Sequence, residues 1–216
     1  MQKLFGFDGP VSIFFEKVAN LLWLNILWLI CCLPIVTIGV STSAMYYVTL
    51  KMVKNEESYI TKSFFKAFKQ NFKQATIIWL IFIVFGAVLA VDSYILGANP
   101  EGIAKYVHIA ICGIGFVFLM TSVYVFPLVA KFENTTANTL KNALGLSIIN
   151  APYTLAIVAI IVIPFVLAYF YTIIMPIVLL IGVATIAYFT SKIYNKIFDK
   201  LIAQEAAKAT EESALE

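Results

Sequence analysis

The stretch VANLLWLNILWLICCLPIVTIGVSTSAMYYVTL, residues 18–50, holds no Asp, Glu, Lys, Arg or His over thirty-three positions. One straight helix of that length would run about 50 Å, well beyond the roughly 30 Å of hydrocarbon in a bilayer. Pro34 removes a helix donor near its middle, and Gly39 follows five residues later. The stretch therefore reads as a hairpin: a helix over residues 10–33, a break through 34–39, and a return helix over 41–54. Asp8 and Gly9 lead into Pro10, the residue best suited to a first helical position, and Ser41, Thr42 or Ser43 would cap the return helix. At the break, Gly39 is expected to adopt a positive φ. Thr37 is expected to bond a backbone group freed there, because an unpaired group in lipid costs several kcal/mol. The reversal is expected at the outer face.

Four further apolar runs are long enough to cross a membrane: residues 75–97, 106–130, 150–171 and 173–194. The 216-residue chain is 62% hydrophobic and only 12% charged, with a mean hydropathy of +0.93. Soluble domains are about 45–50% apolar and about 25% charged. The fold class is thus all-α: a polytopic membrane bundle of five to six membrane helices arranged as hairpins, over residues 1–200. Residues 201–216 read as a polar tail without order. The first run is too long for a secretory signal, and no small-residue cleavage site closes it.

All fifteen basic residues are Lys. With the hairpin and alternating spans, fourteen fall on one side and only Lys105 on the other. The positive-inside rule then puts both termini in the cytoplasm of a bacterial plasma membrane. A single first span gives a weaker asymmetry and is the alternative. The lysines flank spans, so anionic lipid headgroups, not nucleic acid, are the expected partner. Residues 60–73 form a helix with Phe64, Phe65, Phe68 and Phe72 on one face and Lys62, Lys66, Lys69 and Lys73 on another. Such a helix is expected to lie in the interface, its aromatic face in the acyl boundary. Leu140, Leu144 and Ile148 recur every four residues and suggest a second surface helix.

Chemistry-bearing groups are few. Cys31, Cys32 and Cys112 lack ligand spacing, so no metal site is read. No hydrolase, metalloprotease or phosphate-loop motif occurs, and a single histidine leaves little scope for general-base catalysis. No catalytic residue and no cofactor is assigned. Asp92 and His108 fall at similar depth near the outer ends of consecutive spans and are candidates for a pair. Asn25, Pro34, Thr37, Gly39, Tyr46 and Tyr47 are the remaining candidate functional residues. A water-filled cavity lined by Asn25, Thr37, Tyr46 and Tyr47 would mark a transporter. A closed, dry bundle with an exposed apolar groove would mark an accessory protein.

Leu24-Asn25-Ile26-Leu27-Trp28, then Leu33-Pro34-Ile35-Val36-Thr37-Ile38-Gly39, Ala44-Met45-Tyr46-Tyr47 and Phe64-Phe65-Lys66-Ala67-Phe68-Lys69-Gln70-Asn71-Phe72 follow in that order. This arrangement resembles the YesL-like family of bacterial membrane proteins. The resemblance implies a polytopic protein of about this length and supplies no catalytic or binding residues. It also implies a link to carbohydrate uptake, since genes of that family often accompany those for sugar ABC transporters. The expectation is a non-enzymatic accessory component, with an ABC-type sugar transporter as partner. A small-molecule transporter or channel is the alternative.

Overall fold

A computed structural model describes residues 10–56, 59–98, 101–171, 173 and 175–215. The elements are helical: α1 (Pro10–Cys31), a 3-10 turn (Ile35–Thr37), α2 (Ile38–Val53), α3 (Ile60–Ala98), α4 (Ile103–Lys131), α5 (Thr136–Ile149) and α6 (Ala151–Phe170). A short turn (Met175–Ile177) and a π-helical turn (Val178–Gly182) then lead into α7 (Val183–Leu215). The fold is a polytopic helix bundle in which α1, α3, α4, α6 and the last helix are long and apolar enough to cross a membrane. α2 has 16 residues, about 24 Å, and is too short to do so.

The first apolar run is a hairpin, as its proline predicts. α1 stops at Cys31, Pro34 is extended (φ −76°, ψ 120°), and α2 follows one 3-10 turn later. Two details differ from expectation. Thr37, not a residue at 41–43, occupies the N-cap position of α2. Gly39 sits in the first turn of α2 with no positive φ; among the described residues only Asn55 and Gly102 have one. Pro34 and the 3-10 turn supply the reversal, and Gly39 serves packing instead. A Cβ on it would stand 2.6 Å from Trp79 Cβ and 2.9 Å from the Ala75 carbonyl oxygen.

That contact also sets how far the hairpin reaches. The Trp79 indole N–H donates to the Ile35 carbonyl at 2.8 Å, so the tip lies beside Trp79, the midpoint of the 39-residue α3. The reversal is therefore not at the end of the bundle opposite the lysines. α2 packs along the lower half of α3 and also touches α1, α4 and α7. Gly39, Ser41, Ser43 and Ala44 are buried along it, and small residues let helix backbones approach closely.

α3 joins the amphipathic segment 60–73 and the span 75–97 in one rod of about 58 Å. No proline or glycine separates the two, and one buried stripe runs through both: Phe64, Ala67, Ala75, Ile78 and Phe82. The aromatic face is thus not laid in lipid as a whole. Phe64 is fully buried and Phe68 packs on the core, while Phe65 and Phe72 stay exposed. The partner of this face is α2, whose apolar surface offers the burial a bilayer would otherwise provide. α7 continues through residues 201–215 without a break. Ala, Glu and Lys have high helix propensity, and the tail read as unordered is helical up to Leu215.

Candidate functional site

At the hairpin tip every sequence-assigned residue has a mechanical task. The Thr37 hydroxyl lies 2.6 Å from the Cys31 carbonyl and 2.7 Å from the Pro34 carbonyl, and its proton serves the acceptors freed by the break. The Trp28 indole donates to Thr42 Oγ1 at 3.2 Å and ties α1 to α2. Trp79 closes the Ile35 carbonyl, as above. The tip itself remains apolar: Leu33, Ile35 and Val36 are exposed.

Asn25 is wholly buried and bridges the last helix. Its Nδ2 donates to the Leu179 carbonyl at 2.7 Å, and its Oδ1 accepts from the Ala184 N–H at 2.8 Å. Leu179 lies within the π-helical turn and Ala184 just beyond it, five residues on. The carboxamide acts as an inserted peptide unit, matching one donor and one acceptor that the widened turn leaves near the protein interior. Asn25 is thus a staple between α1 and α7, not the lining of a pore.

Below it lies a polar seam that sequence reasoning missed. Thr49 and Ser191 share a hydrogen bond of 2.8 Å, and Asn195 Nδ2 donates to the Leu50 carbonyl at 2.9 Å. The Tyr194 hydroxyl donates to the Val123 carbonyl at 2.6 Å, and Tyr124 pairs with Thr154 at 3.0 Å. Tyr46 is buried edge-on against Tyr194, ring centroids 5.6 Å apart. The signal was present for Thr49, a polar residue in the charge-free run that needs a partner, but not for Ser191 and Asn195, which stand beside Lys192 and Lys196. Tyr47 faces elsewhere. It carries Lys51 Nζ 4.6 Å over its ring and edges a polar pocket of about 490 Å³ with Gln70, Gln74, Lys131 and Asn134.

Asn25, Thr37, Tyr46 and Tyr47 therefore do not converge. Of the four, only Tyr46 reaches the cavity of about 410 Å³ above α2, whose walls include Trp28, Trp79, Phe118, Phe126, Ile161 and Ala187. Asp92 and His108 do not pair. The imidazole turns toward Gly97, where an added Cβ would stand 3.3 Å from Cε1, and its Nε2 lies 3.7 Å from Cys112 Sγ. Cys31, Cys32 and Cys112 are free thiols. Among the described residues no three His, Cys, Asp or Glu side chains gather as metal ligands.

Two larger surface grooves lie outside these clusters. A cavity of about 840 Å³ between α1 and the start of α3 is lined by Lys62, Lys66, Lys69, Trp23, Tyr59 and Phe65 among others. Trp23 Nε1 donates to Thr61 Oγ1 at 2.8 Å and fixes its wall. Lys73 is exposed and lies outside the groove. A second groove, about 690 Å³ and almost wholly apolar, runs between α3 and α4 down to α5. Ile81, Phe85, Ala110, Gly113, Val117 and Leu144 line it, and nothing lies within 4 Å of a Cβ placed on Gly113.

Residues 21–93, from α1 through most of α3, match the family described as "Protein of unknown function, DUF624". The chain is 25% identical to "Uncharacterized protein YteU" of Bacillus subtilis (strain 168) over 161 residues, 73% of this chain and 72% of that protein. It is 26% identical to "Uncharacterized protein YesL" of the same organism over 137 residues, 62% of this chain and 64% of that one. No solved structure matches the chain. The resemblance to the YesL-like family is borne out, with the family match centred on the hairpin and the helix that receives it.

Proposed function

We propose that this chain is a non-enzymatic accessory protein of the bacterial plasma membrane that docks laterally on another membrane protein. Both termini then face the cytoplasm, by the lysine asymmetry. One observation carries the reading: polar groups inside the bundle are largely bonded to one another, while an apolar groove with Ala110 and Gly113 on its α4 wall stays open between α3 and α4. Small residues at such a wall suit a second membrane helix, whose backbone they admit closely. The proposed occupant is a transmembrane helix of an ABC-type sugar-uptake system, the partner that the YesL-like resemblance implies.

The test is co-purification in a mild detergent, read by mass spectrometry, with the parent and Gly113→Phe. The added ring fills the groove at a position with open space, so the variant is expected to fold. Sugar-transporter subunits should accompany the parent and be lost with Gly113→Phe. A second reading, a small-molecule transporter, is favoured by the cavity that reaches Tyr46. Solute flux through the purified protein alone in liposomes would establish that reading and overturn the first. So would retention of the same subunits by Gly113→Phe.

A further inference from the structure

Lys62, Lys66 and Lys69 recur at i, i+4 and i+7 and so share one face of α3. They are exposed, and none pairs with a described carboxylate. All three border the groove against α1. The first turn of α3 lines the same groove, and the leading N–H groups of a helix, which have no intrahelical partner, favour an anion. Lys66 and Lys69 are one turn apart and suit a single phosphate. Lys62 lies a further turn away, and the three together extend about 10 Å along the axis, more than one phosphate group bridges. The basic floor thus calls for two phosphates on one molecule.

The wall specifies the rest of the ligand. Trp23 borders the lysines, and from it Ile26 and Ile30 continue up α1 to Leu33 just beyond its end, at spacings of three and four residues. All four are exposed, which leaves an open apolar track from the charged groove to the hairpin tip. A free acidic peptide has no use for such a track, whereas an amphiphile with an anionic head does.

We infer that this groove is a discrete site for a glycerol-bridged diphosphate phospholipid of the cardiolipin type, its two phosphates on Lys62, Lys66 and Lys69 and acyl chains along Trp23, Ile26 and Ile30. Basic pockets at the headgroup level of membrane helices hold such heads. The inference rests on the membrane reading alone, so failure of the docking experiment at Gly113 leaves it standing.

The experiment is native mass spectrometry of the full chain in detergent, titrated with cardiolipin or with phosphatidylglycerol at equal total phosphate. One cardiolipin per chain should bind in preference to phosphatidylglycerol. Each Lys→Gln change among the three should weaken cardiolipin about fivefold, and all three together about a hundredfold. Lys192→Gln with Lys196→Gln, lysines that lie over Tyr188 and Tyr153 and do not line the groove, should have no such effect. The single variant Lys66→Gln decides the matter if the triple variant proves unstable. Equal retention of the two lipids would overturn the two-phosphate assignment. Undiminished cardiolipin binding by the Lys→Gln variants, or an equal loss in the control pair, would overturn the site, as would displacement of bound cardiolipin by an acidic peptide.

Discussion

Gly39→Ala is the sharpest probe of the hairpin, because it adds one methyl group at the closest helix crossing. The new Cβ would stand 2.6 Å from Trp79 Cβ, 2.9 Å from the Ala75 carbonyl oxygen and 2.9 Å from Phe126 Cε1. Phe126 has a rotatable ring, but the other two atoms belong to or adjoin the α3 backbone. Ordinary contact begins near 3.4 Å, so α2 and α3 must separate by close to an ångström. Overpacking alone costs about 1–3 kcal/mol. The separation also stretches the Trp79–Ile35 hydrogen bond and the Asn71–Ser43 bond, now 2.8 and 3.2 Å, each worth about 0.5–1.5 kcal/mol net.

The sum is roughly 3 kcal/mol or more for Ala, and Val should cost more. For a chain of this size that corresponds to a fall of roughly 6–12 °C in melting temperature. The assay is thermal unfolding of purified variants in one detergent. Gly113→Ala is the control: it meets open space and gains helix propensity, worth up to about 1 kcal/mol, so it should melt at or above the parent. If Gly39→Ala melts with the parent, α2 is not seated against Trp79 and the described hairpin is refuted.

Asn25→Leu should strip the π-helical turn of its side-chain bridge, cost about 2–4 kcal/mol, and speed hydrogen exchange at residues 179–184; unchanged exchange there would remove the staple argument. Thr49→Val orphans Ser191 and should cost about 1–2 kcal/mol, part of which Ser191→Ala in the same chain should restore; strict additivity in the double-mutant cycle would deny their bond. Pro34→Ala should be milder than either glycine replacement at 39, because the extended backbone at 34 is open to alanine and only chain stiffness is lost; a larger loss than Gly39→Ala would reverse that ranking. Reporters fused at residue 1 and at residue 216 should both be active inside the cell, and an external N-terminus would exclude the assigned orientation.

The charge-free run with Pro34 in it announces a hairpin, and the structure contains one. How deeply the hairpin inserts was not legible, because hydropathy measures length and not level. The level follows from a contact between Gly39 and residues near 75–79, which only the folded bundle creates. The amphipathic pattern of residues 60–73 was legible as a helix, yet its apolar face was matched to lipid when Phe64 is buried inside the bundle. A periodic apolar stripe looks the same whether a bilayer or another helix buries it, so the pattern alone does not choose between them. Asp92 and His108 illustrate the converse. Equal depth brought them to similar levels, but the rotamer of His108 is decided by the space that Gly97 leaves and by Cys112.

The buried polar residues carry the most instruction for reading such chains. Asn25, Thr49, Tyr124, Thr154, Ser191 and Tyr194 each stand in apolar surroundings and invite assignment to a pathway. Each is instead bonded to another helix. In hydrocarbon the alternative to a partner is an unpaired polar group, and the interior offers no water to supply one. A polar side chain in a span is therefore first a statement about which helices touch. Asn25 says that α1 meets the last helix where that helix widens, Thr49 says that α2 runs beside α7, and Tyr124 says that α4 meets α6. The surface those bonds leave unused includes the apolar groove at Gly113 and the lysine groove at Trp23.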